Sequence, residues 1–101
     1  MLNQVILVGR IVKDIEIKEL ESGKKVTTIN IAIPRSYKNK EGMYDTDFID
    51  CELWDNVATK TAEYCKKGDI VGVKGRIESE PNRIHVLAEK VTFLSSNKST
   101  D

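Results

Sequence analysis

The run Val26 to Ile33 sets Ile29, Ile31 and Ile33 in alternation with Thr28, Asn30 and Ala32. A period of two sends alternate side chains to opposite faces of an extended chain, so this segment reads as a strand with one apolar and one wet face. Asp47 to Trp54 repeats the pattern, with Ile49, Cys51 and Leu53 on one face and Phe48, Asp50, Glu52 and Trp54 on the other. Two half-buried strands need further sheet to cover them. Leu2 to Val12 is rich in β-branched residues and carries Gly9 near its middle, the pattern of a long first strand that bends at the glycine. After it, Asp14-Ile15-Glu16-Ile17 leads to a turn at Glu21-Ser22-Gly23-Lys24. Ile70 to Ile77 points Val71, Val73 and Ile77 inward and Gly72, Lys74 and Arg76 outward. A tight connection at Glu80-Pro81-Asn82 then opens a last strand, Arg83 to Leu94, whose register shifts near Glu89-Lys90.

Helical spacing occurs once. Val57, Ala58, Thr61, Tyr64 and Cys65 recur at that period, with Asp55 or Asn56 available as a cap and Gly68 as the stop after Lys66-Lys67. Pro34 is expected to end the second strand, leaving a long loop to about Thr46 that holds Arg35, Tyr37, Lys38 and Lys40. Three strands, a helix and two closing strands give an all-β chain, a five-stranded OB-fold barrel with one α-helix between the third and fourth strands. At 101 residues this is one domain, 1–94, followed by a short polar tail, 95–101.

Formal net charge is zero, which argues against a binder of phosphates until the distribution is examined. Residues 1–40 carry eight Lys or Arg against four Asp or Glu, whereas residues 41–63 carry one against seven. Neutrality is therefore a cancellation between regions. No apolar run is long enough to span a membrane and the start lacks signal-peptide character, so a cytoplasmic protein is expected, with no membrane partner. Cys51 and Cys65 lack metal-ligand spacing and read as buried free thiols. His85 alternates with Ile84 and Val86, which predicts a solvent-facing side chain and no metal site. Asp45, Asp47, Asp50 and Glu52 suggest a divalent cation by type, but alternation splits them between loop and strand, so they read instead as a surface that repels nucleic acid or meets a neighbouring subunit's lysines. No Ser or Cys has a base at recognisable spacing and no glycine loop would cradle a phosphate, so neither catalytic residues nor cofactors are expected.

The outward face of the Asp47 to Trp54 strand carries the functional reading. Ile49, Cys51 and Leu53 already supply a core, so Phe48 and Trp54 are left for another use. Unpaired bases stack on aromatic rings whatever their identity, each for roughly 1–3 kcal/mol. Tyr37 joins them as a stacking candidate in the loop, and Arg35, Lys38, Lys40, Lys67, Lys74 and Arg76 are candidates for phosphate contact. The helix dipole accounts equally well for a lysine pair at 66 and 67. A second reading, motivated by the neutral charge and the acidic stretch, is an OB-fold protein-interaction module of a primosome or conjugation complex. A third is RNA binding by the same fold.

The sequence resembles the bacterial single-stranded DNA-binding protein family. The resemblance rests on Asn3-Gln4-Val5-Ile6-Leu7-Val8-Gly9-Arg10, Asp14, Gly23, Asn30-Ile31-Ala32, Asp47 to Trp54, Ala62 to Gly68 and Val73-Lys74-Gly75-Arg76. It implies single-stranded DNA as partner, base stacking at Tyr37, Phe48 and Trp54, a nucleoid-associated location, and a homotetramer or homodimer joined through the first strand, Leu2 to Gly9. Two departures are visible. The connection from Glu78 to Arg83 is shorter than the family's extended hairpin and lacks its further stacking aromatic, which implies a shorter DNA path. The ending Asn97-Lys98-Ser99-Thr100-Asp101 lacks the acidic tail of replicative members, the expectation for a trimmed chain or for an accessory, phage or mobile-element form.

Overall fold

The computed structural model describes residues 1–95. β1 (Val5–Ile11), a two-residue β2 (Lys18–Glu19), β3 (Lys25–Lys38) and β4 (Tyr44–Trp54) precede α1 (Asp55–Tyr64), and β5 (Ile70–Glu80) and β6 (Arg83–Ser95) follow it. One sheet runs β1-β5-β6-β4-β3-β2, and pairing of β1 with β3 at Arg10–Ala32 and Ile11–Ile31 closes it into a barrel. The β4–β6 contact is parallel, through Cys51–Val86 and Glu52–Leu87; every other pairing is antiparallel. The five long strands and the helix between β4 and β5 form the OB barrel that the alternating patterns predict.

Alternation sets the core directly. Ile29 and Ile31 of β3, Cys51 and Leu53 of β4, and Val71 and Val73 of β5 are buried, with Ile11 and Val86 beside them. Ala58 and Thr61, one helical turn apart on α1, close one end. Burial pushes the Cys51 thiol up to about 12 and the Cys65 thiol to about 11, helped by the nearby Asp50 and Asp69 charges, so both free thiols stay protonated and unreactive near neutral pH. Gly9 is required by close approach: a Cβ there would lie 2.9 Å from the Ala32 carbonyl oxygen, where the bending first strand passes over β3. The expected turn at Glu21–Lys24 forms with Gly23 at φ +89°, and β6 shifts register opposite Lys74–Gly75, skipping Glu89. Among the described residues no helix is long and apolar enough to cross a membrane.

Five expectations need correction. Pro34 does not end the second strand: it pairs with Thr46, the ladder is interrupted because proline has no N–H to donate, and pairing resumes at Lys38–Tyr44. The expected loop from Arg35 to Thr46 is therefore an ordered two-stranded ribbon. Its tip is tied by Asn39, whose side-chain oxygen accepts the N–H groups of Glu41 and Met43, and Gly42 turns the chain at φ +79°. Neither Asp55 nor Asn56 caps α1; Trp54 occupies that position without a side-chain bond, and the Asp55 carboxylate instead accepts the Lys25 N–H at 3.0 Å. Ile77 points inward by parity and pairs with the core residue Val86, yet it is 45% exposed, on a groove it shares with Val5, Leu7, Phe48 and Ile84. His85, expected in solvent, is buried. Ser95 belongs to β6, and the rest of the expected tail, 96–101, lies outside the described residues.

Candidate nucleic-acid interface

β4 presents Phe48, Asp50, Glu52 and Trp54 on its outer face, as its alternation predicts. Their partners across β3 are small or polar: Ala32 opposite Phe48, Asn30 opposite Asp50, Thr28 opposite Glu52 and Val26 opposite Trp54. Nothing as large as a ring sits opposite Phe48, and its side chain is 62% exposed. Phe48 and Trp54 are six residues apart, about 20 Å along the strand at roughly 3.3 Å per residue, so they can engage different nucleotides of one strand. Trp54 is half-buried and oriented by its indole Nε1, which donates a 2.7 Å hydrogen bond to Oε1 of Glu52. Asp50 is held in turn by the Asn30 side-chain amide at 2.9 Å.

The ribbon carries the third ring. Tyr37, near the end of β3, is 63% exposed. Lys38 follows it with its ammonium 5.9 Å from the centre of the Tyr44 ring, and Lys40 sits exposed at the tip. Arg35 is differently placed. Its guanidinium forks onto Asp47 from β4, with Nη2 at 2.8 Å and Nε at 3.2 Å, and reaches Asp45 at 3.8 Å. The hydrogen bonds and charge of Asp47 raise the Arg35 pKa; the same bonds hold the Asp47 carboxyl below its ordinary range against the opposing effect of desolvation. Asp45 and Asp47 thus meet a cation within their own ribbon.

Lys74 and Arg76 project outward from β5 and are exposed, Arg76 with a 3.3 Å bridge to Glu78. Lys67 is not brought to the aromatic face. It lies in the turn whose Gly68 N–H bonds to the Ile11 carbonyl, beside the start of β5 and about 20 Å along that strand from Arg76. Tyr44, 57% exposed on the ribbon, is a ring that strand periodicity did not single out. Neither did it find the meeting of Glu52, Glu78 and His85, because that group draws on three strands; the pairings of Glu78 with His85 and of Glu52 with Leu87 are what assemble it.

A family model described as the single-strand binding protein family matches residues 2–92. Single-stranded DNA-binding protein B of Bacillus subtilis is 44% identical over 103 residues, covering 93% of this chain and 91% of that protein. A single-stranded DNA-binding protein of Bacillus cereus is 39% identical over 103 residues, and there the alignment spans 93% of this chain but 61% of the relative. Among solved structures, the wild-type single-stranded DNA binding protein from Thermus aquaticus superposes with a TM-score of 0.79 at 21% identity, over 93% of this chain and 50% of that one. That last likeness bears on the fold alone.

Proposed function

The chain belongs to the single-strand binding protein family, and on that premise we propose that it binds single-stranded DNA without reading its sequence and performs no catalytic step. The observation that carries this reading is the outer face of β4, where a largely exposed Phe48 and an indole-anchored Trp54 share one strand surface. Stacking on such rings accepts any base, and only a single strand offers its bases unpaired. Residues 1–94 act as one binding domain. Tyr37, Phe48 and Trp54 stack bases, while Lys38, Lys40, Lys74 and Arg76 meet phosphates along the same path. Arg35 contributes chiefly by bracing the ribbon against Asp47, and Lys67 joins only where the strand continues around the barrel.

The assembly is a homotetramer or homodimer joined through Leu2 to Gly9. In support, β1 pairs with β5 from Val5 to Arg10, yet its other side is engaged by β3 only at Arg10 and Ile11 among the described residues. An unpaired strand edge of that kind is a ready template for a second copy, and the outward Ile6 and Val8 are exposed beside it. The working place is the cytoplasm at the nucleoid, where exposed strands arise in replication, recombination, repair or DNA uptake.

Anisotropy of a labelled oligothymidylate, with duplex DNA and matched RNA as competitors, tests the reading. Saturable binding that duplex does not compete is expected, weakening by about 0.7 log units per decade of salt for each phosphate contacted. Absence of binding at low salt, or preference for the duplex, contradicts it.

A further inference from the structure

His85 sits on β6 with a side chain only 2% exposed, and among the described residues neither ring nitrogen has a hydrogen-bond partner. A buried imidazole left without a partner loses its hydration with no return, a cost that folded proteins rarely carry without use. Carboxylates surround it on both sides. Nε2 faces Oε1 of Glu78 at 3.5 Å and Oε2 of Glu52 at 3.8 Å, and Nδ1 faces Oε1 of Glu80 at 3.7 Å. These separations exceed an ordinary hydrogen bond, yet they suit ligands arranged around a common centre.

We propose that Glu52, Glu78 and His85 form a site for a divalent cation of the zinc class, with Glu80 as the carboxylate that orients the imidazole through Nδ1. One donor atom from each of the three ligands lies within 4.8 Å of the other two. Ligands held about 2.0–2.2 Å from a tetrahedral ion stand roughly 3.3 Å apart, so His85 already has nearly the required spacing to both carboxylates, and a small approach of the two glutamates completes it. One imidazole with two carboxylates is a borderline donor set, which favours Zn²⁺, with a fourth position left for water. A carboxylate hydrogen-bonded to Nδ1 fixes the tautomer of a metal-bound histidine, and Glu80, now 3.7 Å away, would take that role by moving closer.

Two arginines temper the site. Arg83 approaches Glu52 at 3.7 Å and Glu80 at 3.2 Å from a partly exposed position, and Arg76 bridges Glu78. They compete with an ion for the same carboxylates, so the site binds reversibly. Its access lies past Glu78 and Glu80, the more exposed of the glutamates. Because the other oxygen of Glu52 holds the Trp54 indole, an ion here also reports through tryptophan fluorescence and removes negative charge beside the outer face of β4.

Titration of the purified chain with Co²⁺, without DNA, tests the proposal independently of the nucleic-acid reading. One Co²⁺ per chain is expected, with visible absorption from a nitrogen and oxygen ligand set, displaced by Zn²⁺ and accompanied by a change in Trp54 emission. His85→Gln and Glu78→Gln should each lose at least about tenfold in affinity, and Arg83→Gln should gain several-fold. Glu78 is at the surface, so E78Q carries the test even where H85Q folds poorly. Absence of saturable binding in the parent chain, or unchanged binding in a folded E78Q or H85Q, overturns the site.

Discussion

The indole of Trp54 and the carboxylate of Glu52, two residues apart on the outer face of β4, are joined by a 2.7 Å hydrogen bond. The bond orients a ring suited to stacking, but it also places a negative charge where a phosphate backbone would pass. An amide oxygen would keep the bond and remove the charge. Glu52→Gln is therefore expected to strengthen single-stranded DNA binding by roughly two- to fivefold at low salt, as befits one partly solvated charge. The gain should shrink as salt rises, and anisotropy titrations at two ionic strengths would show it.

The fork from Arg35 to Asp47 makes the ribbon sensitive to acid. Asp47 has a lower pKa in the folded chain than in the unfolded one, so its contribution is present above the ordinary carboxylate value of 3.8 and is lost as pH falls through the lowered folded value. Urea unfolding of the parent and of Asp47→Asn should differ at pH 6 and converge toward pH 2. In the same variant Arg35 is released toward phosphate, so DNA affinity should rise while stability falls.

Gly75 occupies a place where no side chain fits. A Cβ there would collide with the backbone of Leu87 and Ala88, next to the register shift opposite Glu89. Neither strand can retreat without breaking the β5–β6 ladder, so Gly75→Ala should cost about 1–3 kcal/mol of stability, read as a shift in the denaturation midpoint.

Strand alternation made the barrel legible. The inward sets Ile29/Ile31, Cys51/Leu53 and Val71/Val73 and the exposed Phe48 all follow from a period of two. The same rule assigns a face but cannot say how fully neighbouring elements cover it, so Ile77 points inward and is still 45% exposed. His85 has the opposite history. Its outward parity is correct, but Glu52, Glu78 and Glu80 close over it from neighbouring strands, a coverage that depends on cross-strand register. The ribbon is not legible in the sequence because Pro34 signals an end locally, whereas the Lys38–Tyr44 pairing and the Asn39 turn restore the sheet beyond it.

The most direct test of the binding face is a titration of Trp54, the chain's single tryptophan, with oligothymidylate in the parent and in Phe48→Ala. Saturable quenching is predicted in the parent. Loss of one stacking ring, roughly 1–3 kcal/mol, should weaken binding about 5- to 150-fold in the variant, with the denaturation midpoint nearly unchanged because Phe48 is mostly exposed. Absence of quenching at low salt, or equal affinity in the two proteins, would contradict the assignment of DNA binding to this face.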